Sequence, residues 1–362
     1  MNIMLFSRII AKSGVGNHIK LLSEELTRQG HKVVVVSSTN ELKLGGGANV
    51  KYINVSPLNL NPISLFNGTR KIHHIIRDNN IDIVHCHHRM AALYMKFYRL
   101  FFKIPMVYTL HLSGIPADAI HRCMTYVGDR AIGVSKEVTE FMVRKLKVPE
   151  NKCVTICNGV DDKNLMPLTE SEKEELYLKW NIPKGKTVFA LHSRIEKVKN
   201  HLSMVEAVNK MPDEYRNKLV FICSGEKSGE YYERVIQRIN QYHLNNCFIF
   251  IGWANTREVL GIANALVAPS TKEGFLLTAA EAFLMKIPVY RTRTAGFDDQ
   301  LFCNEIYGDN FMKDASILMD YIDKGVDQVR IDEAYKYAVE NFTIEKMTKK
   351  TVNVYKTVLI EK

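Results

Sequence analysis

The chain has 362 residues, 46% of them apolar and 24% charged, with a formal net charge of +10. This is long enough for two domains with separate cores, and no apolar run approaches the roughly 20 residues needed to span a bilayer. The opening MNIMLF stops at Ser7 and Arg8, too short for a signal peptide and the right length for a buried strand.

The seven cysteines are scattered and form no C-x-x-C pair, as expected of reduced core cysteines in a cytoplasmic protein. The charge is unevenly divided. Residues 1–160 hold 21 Lys and Arg against 10 Asp and Glu, a net of +11, whereas residues 161–362 hold 28 against 29. A basic half beside a neutral half suggests an anionic partner for the first half: nucleic acid, a phospholipid surface or a lipid-pyrophosphate substrate. The plain alternative is a solubilising basic surface.

Short β-branched runs at 3–6, 32–37, 50–54, 81–86, 106–110 and 130–134 read as strands. Amphipathic stretches at 17–29, 65–79, 90–102 and 136–145 read as helices between them. Asn158-Gly159 marks a turn, and the polar 161–175 stretch reads as a linker. The alternation then resumes, with strands at 187–191, 219–223, 247–250, 265–268 and 287–290. Helices are expected near 200–210, 229–241, 256–263, 277–285 and 315–322, and from about 331 to the end with a break at 342–343.

Strand–helix alternation of this kind predicts doubly wound parallel sheets, here two Rossmann-like domains facing a cleft that binds ligand at the carboxyl ends of the strands. The expected division is 1–160, 161–342, and a last helical segment at 343–362 packing back on the first domain.

Three constellations carry candidate chemistry. Glu273-Gly274-Phe275-Leu276-Leu277-Thr278-Ala279-Ala280-Glu281 follows the apolar strand-like run ALVAPS and opens a helix. A helix start offers free N–H groups and a positive dipole end to a pyrophosphate, and Gly274 permits close backbone approach. Glu281 could accept hydrogen bonds from a ribose, and Glu273 could reach a sugar.

Arg194 and Lys199 stand five residues apart at another strand-to-helix junction. Fixed cations there would stabilise the charge that grows on a departing nucleoside diphosphate. The third constellation, Gly14 and Gly16 at the first strand–helix junction, lacks the third glycine of a dinucleotide fingerprint. No acidic residue closes the strand ending at Ser37, which disfavours NAD.

SGVGNH, DIVHCHH, YTLH, GVSKEV, NGVD, SRIEKVKNH and EGFLLTAAEA occur in the order seen in glycosyltransferase family 4, which the chain resembles from about residue 2 to the last helix. The resemblance implies the GT-B fold, with sugar transferred from a nucleotide diphosphate donor, UDP ahead of GDP. It also implies retention of anomeric configuration and no cofactor or bound metal.

Residue by residue, it places Glu273 and Glu281 on donor sugar and ribose, Arg194 and Lys199 on the diphosphate, and Gly14 and Gly16 in an N-terminal glycine loop. Phe275, Leu276, Leu277 and Thr278 fall in the donor-binding segment, and His111 lies near the transferred sugar. The acceptor expected from family habit and the basic first half is a lipid-linked saccharide of cell-surface polysaccharide synthesis. The enzyme would then be cytoplasmic and peripheral on the inner face of the cell membrane, with Lys96, Arg99 and Lys103 among aromatics meeting anionic lipid.

Departures from the family pattern are Arg291-Thr-Arg-Thr-Ala-Gly-Phe-Asp-Asp in place of a Gly-Gly stretch, His192 in place of a small residue, and Leu112 after His111 in place of aspartate. His85, Cys86, His87 and His88 resemble metal ligands in composition, but strand neighbours point to opposite faces and cannot converge on one ion. A nucleotide-sugar epimerase of the same fold is the nearest rival, disfavoured by the E-x7-E pair. A nucleic-acid-binding protein is disfavoured because the strands read as buried on both faces.

Overall fold

A computed structural model of the chain describes residues 1–45, 50–55 and 58–361. The last residue of the expected C-terminal helical segment, Lys362, lies outside them. The chain divides into two units, Met1–Val160 with Asn341–Lys362, and Asp161–Glu340.

The first unit contains β1 (Asn2–Phe6), α1 (Gly14–Arg28), β2 (Lys32–Ser37), β3 (Val50–Asn54), α2 (Pro62–Asp78), β4 (Ile83–Cys86), α3 (Arg89–Tyr98), β5 (Met106–Leu110), α4 (Ala119–Met124), β6 (Arg130–Gly133), α5 (Lys136–Arg144) and β7 (Cys153–Thr155). The seven strands form one parallel sheet in the order β3-β2-β1-β4-β5-β6-β7. Helices cover both faces of a parallel sheet, so its central strands bury both faces. Runs such as Val33–Val36 are accordingly buried throughout.

The second unit contains α6 (Glu170–Lys179), β8 (Thr187–His192), α7 (His201–Asn209), α8 (Asp213–Arg216), β9 (Leu219–Ser224), α9 (Glu230–Gln241), β10 (Phe248–Gly252), α10 (Thr256–Gly261), β11 (Ala265–Ala268), α11 (Leu277–Leu284), β12 (Val289–Thr292), β13 (Asn304–Ile306) and α12 (Phe311–Lys324). Its six-stranded parallel sheet runs β10-β9-β8-β11-β12-β13. Phe189, Phe221 and Phe248 stack across neighbouring strands, with ring centroids 5.2 Å apart at each step.

After α13 (Gln328–Asn341) the chain returns to the first unit as α14 (Ile344–Ile360). Met347, Val352, Tyr355 and Val358 of α14 share a core with Ile19, Leu22 and Leu26 of α1. Gly159 lets this return pass closely, since a Cβ there would lie 2.6 Å from backbone atoms of Thr343 and Ile344.

The structure shortens two sequence expectations. The linker ends at Thr169, whose side chain and that of Glu172 form a capping box that opens α6. The helix expected over 90–102 stops at Tyr98, and residues 99–101 form a turn ahead of Ile104-Pro105, where the residue before proline disfavours helix.

Candidate functional site

In each sheet the strand order reverses once, between β1 and β4 in the first unit and between β8 and β11 in the second. Ligands of open α/β sheets bind outside the carboxyl ends of strands at such switch points. The candidate residues of each unit collect there.

In the second unit, two loops leave the carboxyl ends of the adjacent strands β8 and β11. They are stitched together by Thr271, whose backbone N–H donates to the Val198 carbonyl at 2.8 Å. Across this stitch Lys199 Nζ donates to Glu273 Oε1 at 2.6 Å, and both side chains are largely shielded, 18% and 11% exposed. Asn200 turns the chain into α7 from the left-handed region, φ 55°, and its amide donates to the Gly308 carbonyl. Arg194 does not join the pair. Its guanidinium is half-exposed and donates to Glu196 Oε1 at 2.7 Å.

Gly274, Phe275 and Leu276 are buried in the loop that opens α11, while Leu277 and Thr278 are half-buried in its first turn. No side chain among the described residues caps this helix start. Its first N–H groups therefore lack intrahelical partners and face the position where an anion is best held. Glu281, in the second turn, is half-buried, and its carboxylate makes no hydrogen bond among the described residues. Burial pushes its carboxyl from 4.5 up to about 7.

The segment that departs from the Gly-Gly pattern supports this loop from behind. Arg291, 1% exposed, donates from Nη1 to Gln300 Oε1 and from Nη2 to Thr294 Oγ1 at 2.7 Å. Gln300 Nε2 in turn donates to the Leu276 carbonyl at 2.8 Å. Gly296, at φ 83°, lies so close that a Cβ would sit 3.1 Å from Phe275 Cα. A buried guanidinium thus does the packing that small residues would do elsewhere. His192, at the end of β8, is held by Thr256 Oγ1 at 3.0 Å, and burial lowers its pKa to about 4.

In the first unit Gly14 and Gly16 are part of the first turn of α1, capped by Ser13, which accepts from the Gly16 N–H at 3.2 Å. Gly16 is obligatory, since a Cβ would fall 2.0 Å from the Ala11 carbonyl oxygen. Two residues after Gly16, His18 meets His87 and His111, which follow β4 and β5. One ring nitrogen of each lies within 4.8 Å of the other two. His18 Nδ1 is bonded to Asn158 Oδ1 at 2.9 Å, and His87 Nδ1 to His111 Nε2 at 3.3 Å.

The Nε2 atoms of His18 and His87 are buried without a partner among the described residues. Burial, reinforced for His87 and His111 by the neighbouring imidazoles, holds all three well below the usual histidine range, with His18 at about 4. They are therefore neutral at pH 7 and able to hydrogen-bond a polar ligand. Three neutral imidazoles whose ring nitrogens lie within 4.8 Å of one another are also of the type that ligates a transition metal.

The His85–His88 run does not converge. His85 is locked between Thr109 Oγ1 and the Tyr355 hydroxyl, and Cys86 is buried with its thiol pushed up. His88 caps α3 by accepting from the Met90 N–H. Only His87 joins the cluster, so the structure groups His18 and His87 with His111, a grouping to which the sequence reading gave no role.

Of the cations expected to meet lipid, Arg99 is spent inside the unit. It pairs with Asp129 at 2.8 Å, is 17% exposed, and lies over the Tyr126 ring. Lys96 donates to the Cys123 carbonyl at 3.0 Å.

Residues 12–164 match the profile of Glycosyltransferase Family 4, and residues 172–320 match that of Glycosyl transferases group 1. An uncharacterized glycosyltransferase of Methanocaldococcus jannaschii is 24% identical, covering 95% of this chain and 94% of its own. A glycosyltransferase from Rickettsia africae superposes with a TM-score of 0.85 at 22% identity, over 99% of this chain and 98% of that one. The Anabaena protein HepE, solved in complex with UDP, also superposes at 0.85, with 15% identity over 99% and 100% of the two chains. HepE has been solved with UDP-glucose as well.

Proposed function

The chain belongs to glycosyltransferase family 4 and has the GT-B fold, and from that premise we propose that it transfers a sugar, with retention, from a UDP-sugar to a lipid-linked saccharide without a metal ion. The observation that carries this reading is the Lys199–Glu273 pair beside the uncapped start of α11. It supplies a shielded cation and a carboxylate close in sequence and fold to a natural phosphate seat.

In the reaction the bond from the anomeric carbon to the diphosphate oxygen breaks, leaving its electron pair on the diphosphate. The acceptor oxygen bonds to that carbon on the same face, and the acceptor proton departs with the diphosphate. Lys199, exchanging Glu273 for phosphate oxygens, and Arg194, released from Glu196, stabilise the charge gained by the leaving group. Glu273 then serves the sugar hydroxyls and Glu281 the ribose.

His111, neutral beside His18 and His87, offers the sugar a hydrogen-bonding imidazole without competing as a cation for the diphosphate. The choice of UDP is supported by the UDP and UDP-glucose complexes of the Anabaena neighbour. The lipid-linked acceptor of a cell-surface polysaccharide, met at the inner face of the membrane, is supported by the net +11 of residues 1–160.

The test is proton NMR of the product formed from a UDP-sugar of known anomeric configuration. A product keeping the donor's configuration supports retention, and an inverted one overturns it.

A further inference from the structure

We infer that α2, with the turn that ends α3, forms a face that docks the first unit on an anionic lipid surface. No helix of the described residues is long and apolar enough to cross a membrane, so any attachment through them is lateral. Ile63 and Phe66, one turn apart on α2, and Leu100 and Phe101 in the turn after α3 are each at least 69% exposed. Side chains of this size rarely stand so far into water together on a soluble surface without a partner.

The two groups belong to one rigid platform. Gly68 of α2 presses against Tyr94 of α3, where a Cβ would lie 2.4 Å from the ring. His73 of α2 stacks on Phe102 with centroids 4.2 Å apart and reaches the Tyr98 hydroxyl. The turn is anchored from beneath by Arg99, whose pair with Asp129 takes it away from solvent and leaves Leu100 and Phe101 outermost.

Charge selects the occupant. Residues 60–103 hold seven Lys and Arg against two Asp and Glu. With Lys96 and Arg99 engaged internally, exposed Arg70, Lys71 and Lys103 make no ion pair among the described residues. Exposed apolar side chains among unpaired cations suit a bilayer interface, where rings enter the acyl boundary and lysines remain at anionic headgroups. A protein partner would need acidic residues around an apolar patch; a second copy would oppose like charges, which is unfavourable.

The purpose of this face rests on the lipid-linked acceptor proposed above, but its test does not. The full chain is co-sedimented with vesicles of phosphatidylcholine and with vesicles also containing phosphatidylglycerol, without sugar donor. Binding is expected to the anionic vesicles alone and to fall as salt shortens the Debye length. Phe66→Ser with Phe101→Ser, and separately Lys71→Glu with Lys103→Glu, should each weaken it by roughly tenfold or more.

Affinity for UDP, read by calorimetry on the same proteins, should not change, which separates loss of docking from loss of fold. Failure of the wild type to bind anionic vesicles at low salt, or undiminished binding by both double variants, overturns the inference. A dimer in sedimentation velocity that is abolished by the aromatic variant replaces it with self-association. Vesicle binding without any glycosyl transfer would instead contradict the enzymatic reading and leave this face standing.

Discussion

Lys199 and Glu273, 74 residues apart in sequence, form an ion pair of 2.6 Å at the strand-order switch of the second unit. Both side chains are mostly out of water. Removing one partner of such a pair leaves the other charge uncompensated, so each depends on the other until an anionic ligand offers Lys199 an alternative.

Alanine at Lys199 should lower kcat by roughly 10²–10³, the scale of losing one preorganised charge in a transition state. Arg194→Ala should do the same, its guanidinium pairing with Glu196 among the described residues. Steady-state kinetics alongside circular dichroism checks this. Wild-type turnover in either variant removes that residue from the mechanism.

Glu273→Gln should spare UDP affinity and damage transfer, whereas Glu281→Gln should weaken UDP binding itself. Calorimetry on the two variants and the wild type separates these roles, and equal affinities in all three would contradict the division.

Glu281 also sets a pH signature. Its carboxyl titrates near 7 in the folded chain and at the usual 4.5 when unfolded. The protonated form is therefore the favoured one in the fold, and stability from this group is whole below about pH 4 and declines as pH rises through about 7. Glu281→Gln should raise Tm relative to wild type at about pH 8 and not at about pH 4. A ribose diol donates to the ionised form, so wild-type UDP affinity should rise between about pH 6 and 8 more steeply than that of the variant. Parallel profiles would show that Glu281 does not meet the ribose.

Gln300→Leu should disturb the donor loop without touching donor. It leaves Arg291 short of one acceptor and the Leu276 carbonyl without its side-chain donor. The expected outcome is a lower Tm, by about 1–3 kcal/mol in stability, with KM for the donor raised more than kcat is lowered. An unchanged KM would confine the Arg291–Gln300 link to folding.

Transfer should survive excess EDTA if, as proposed, Lys199, Arg194 and the start of α11 neutralise the diphosphate. Full loss restored by Mg²⁺ or Mn²⁺ would contradict a metal-free reaction.

Most of the architecture was legible because buried parallel strands such as KVVVVS leave a strong apolar signature. The three-residue edge strands β7 and β13 were not, being too short to show a period. The start of α6 was missed although Thr169 and Glu172 carry the capping-box spacing, because its polar sequence ESEKEELYLK resembles a linker.

The residues proposed for the donor side could be named from spacing and family resemblance, but their pairing could not. Lys199 meets Glu273 only because β8 and β11 are neighbours in the sheet. The same holds for His18, His87 and His111, which strand order brings together, and for Arg291, whose burial nothing in RTRTAGFDD announces.

The most direct test is nucleoside diphosphate release, measured across a panel of UDP- and GDP-sugars with the wild type and Lys199→Ala side by side. The account predicts that at least one UDP-sugar is consumed by the wild type, in preference to its GDP counterparts, and that the variant is slower by roughly 10²–10³ on that donor. Consumption of no nucleotide sugar, or equal consumption by the two proteins, would contradict it.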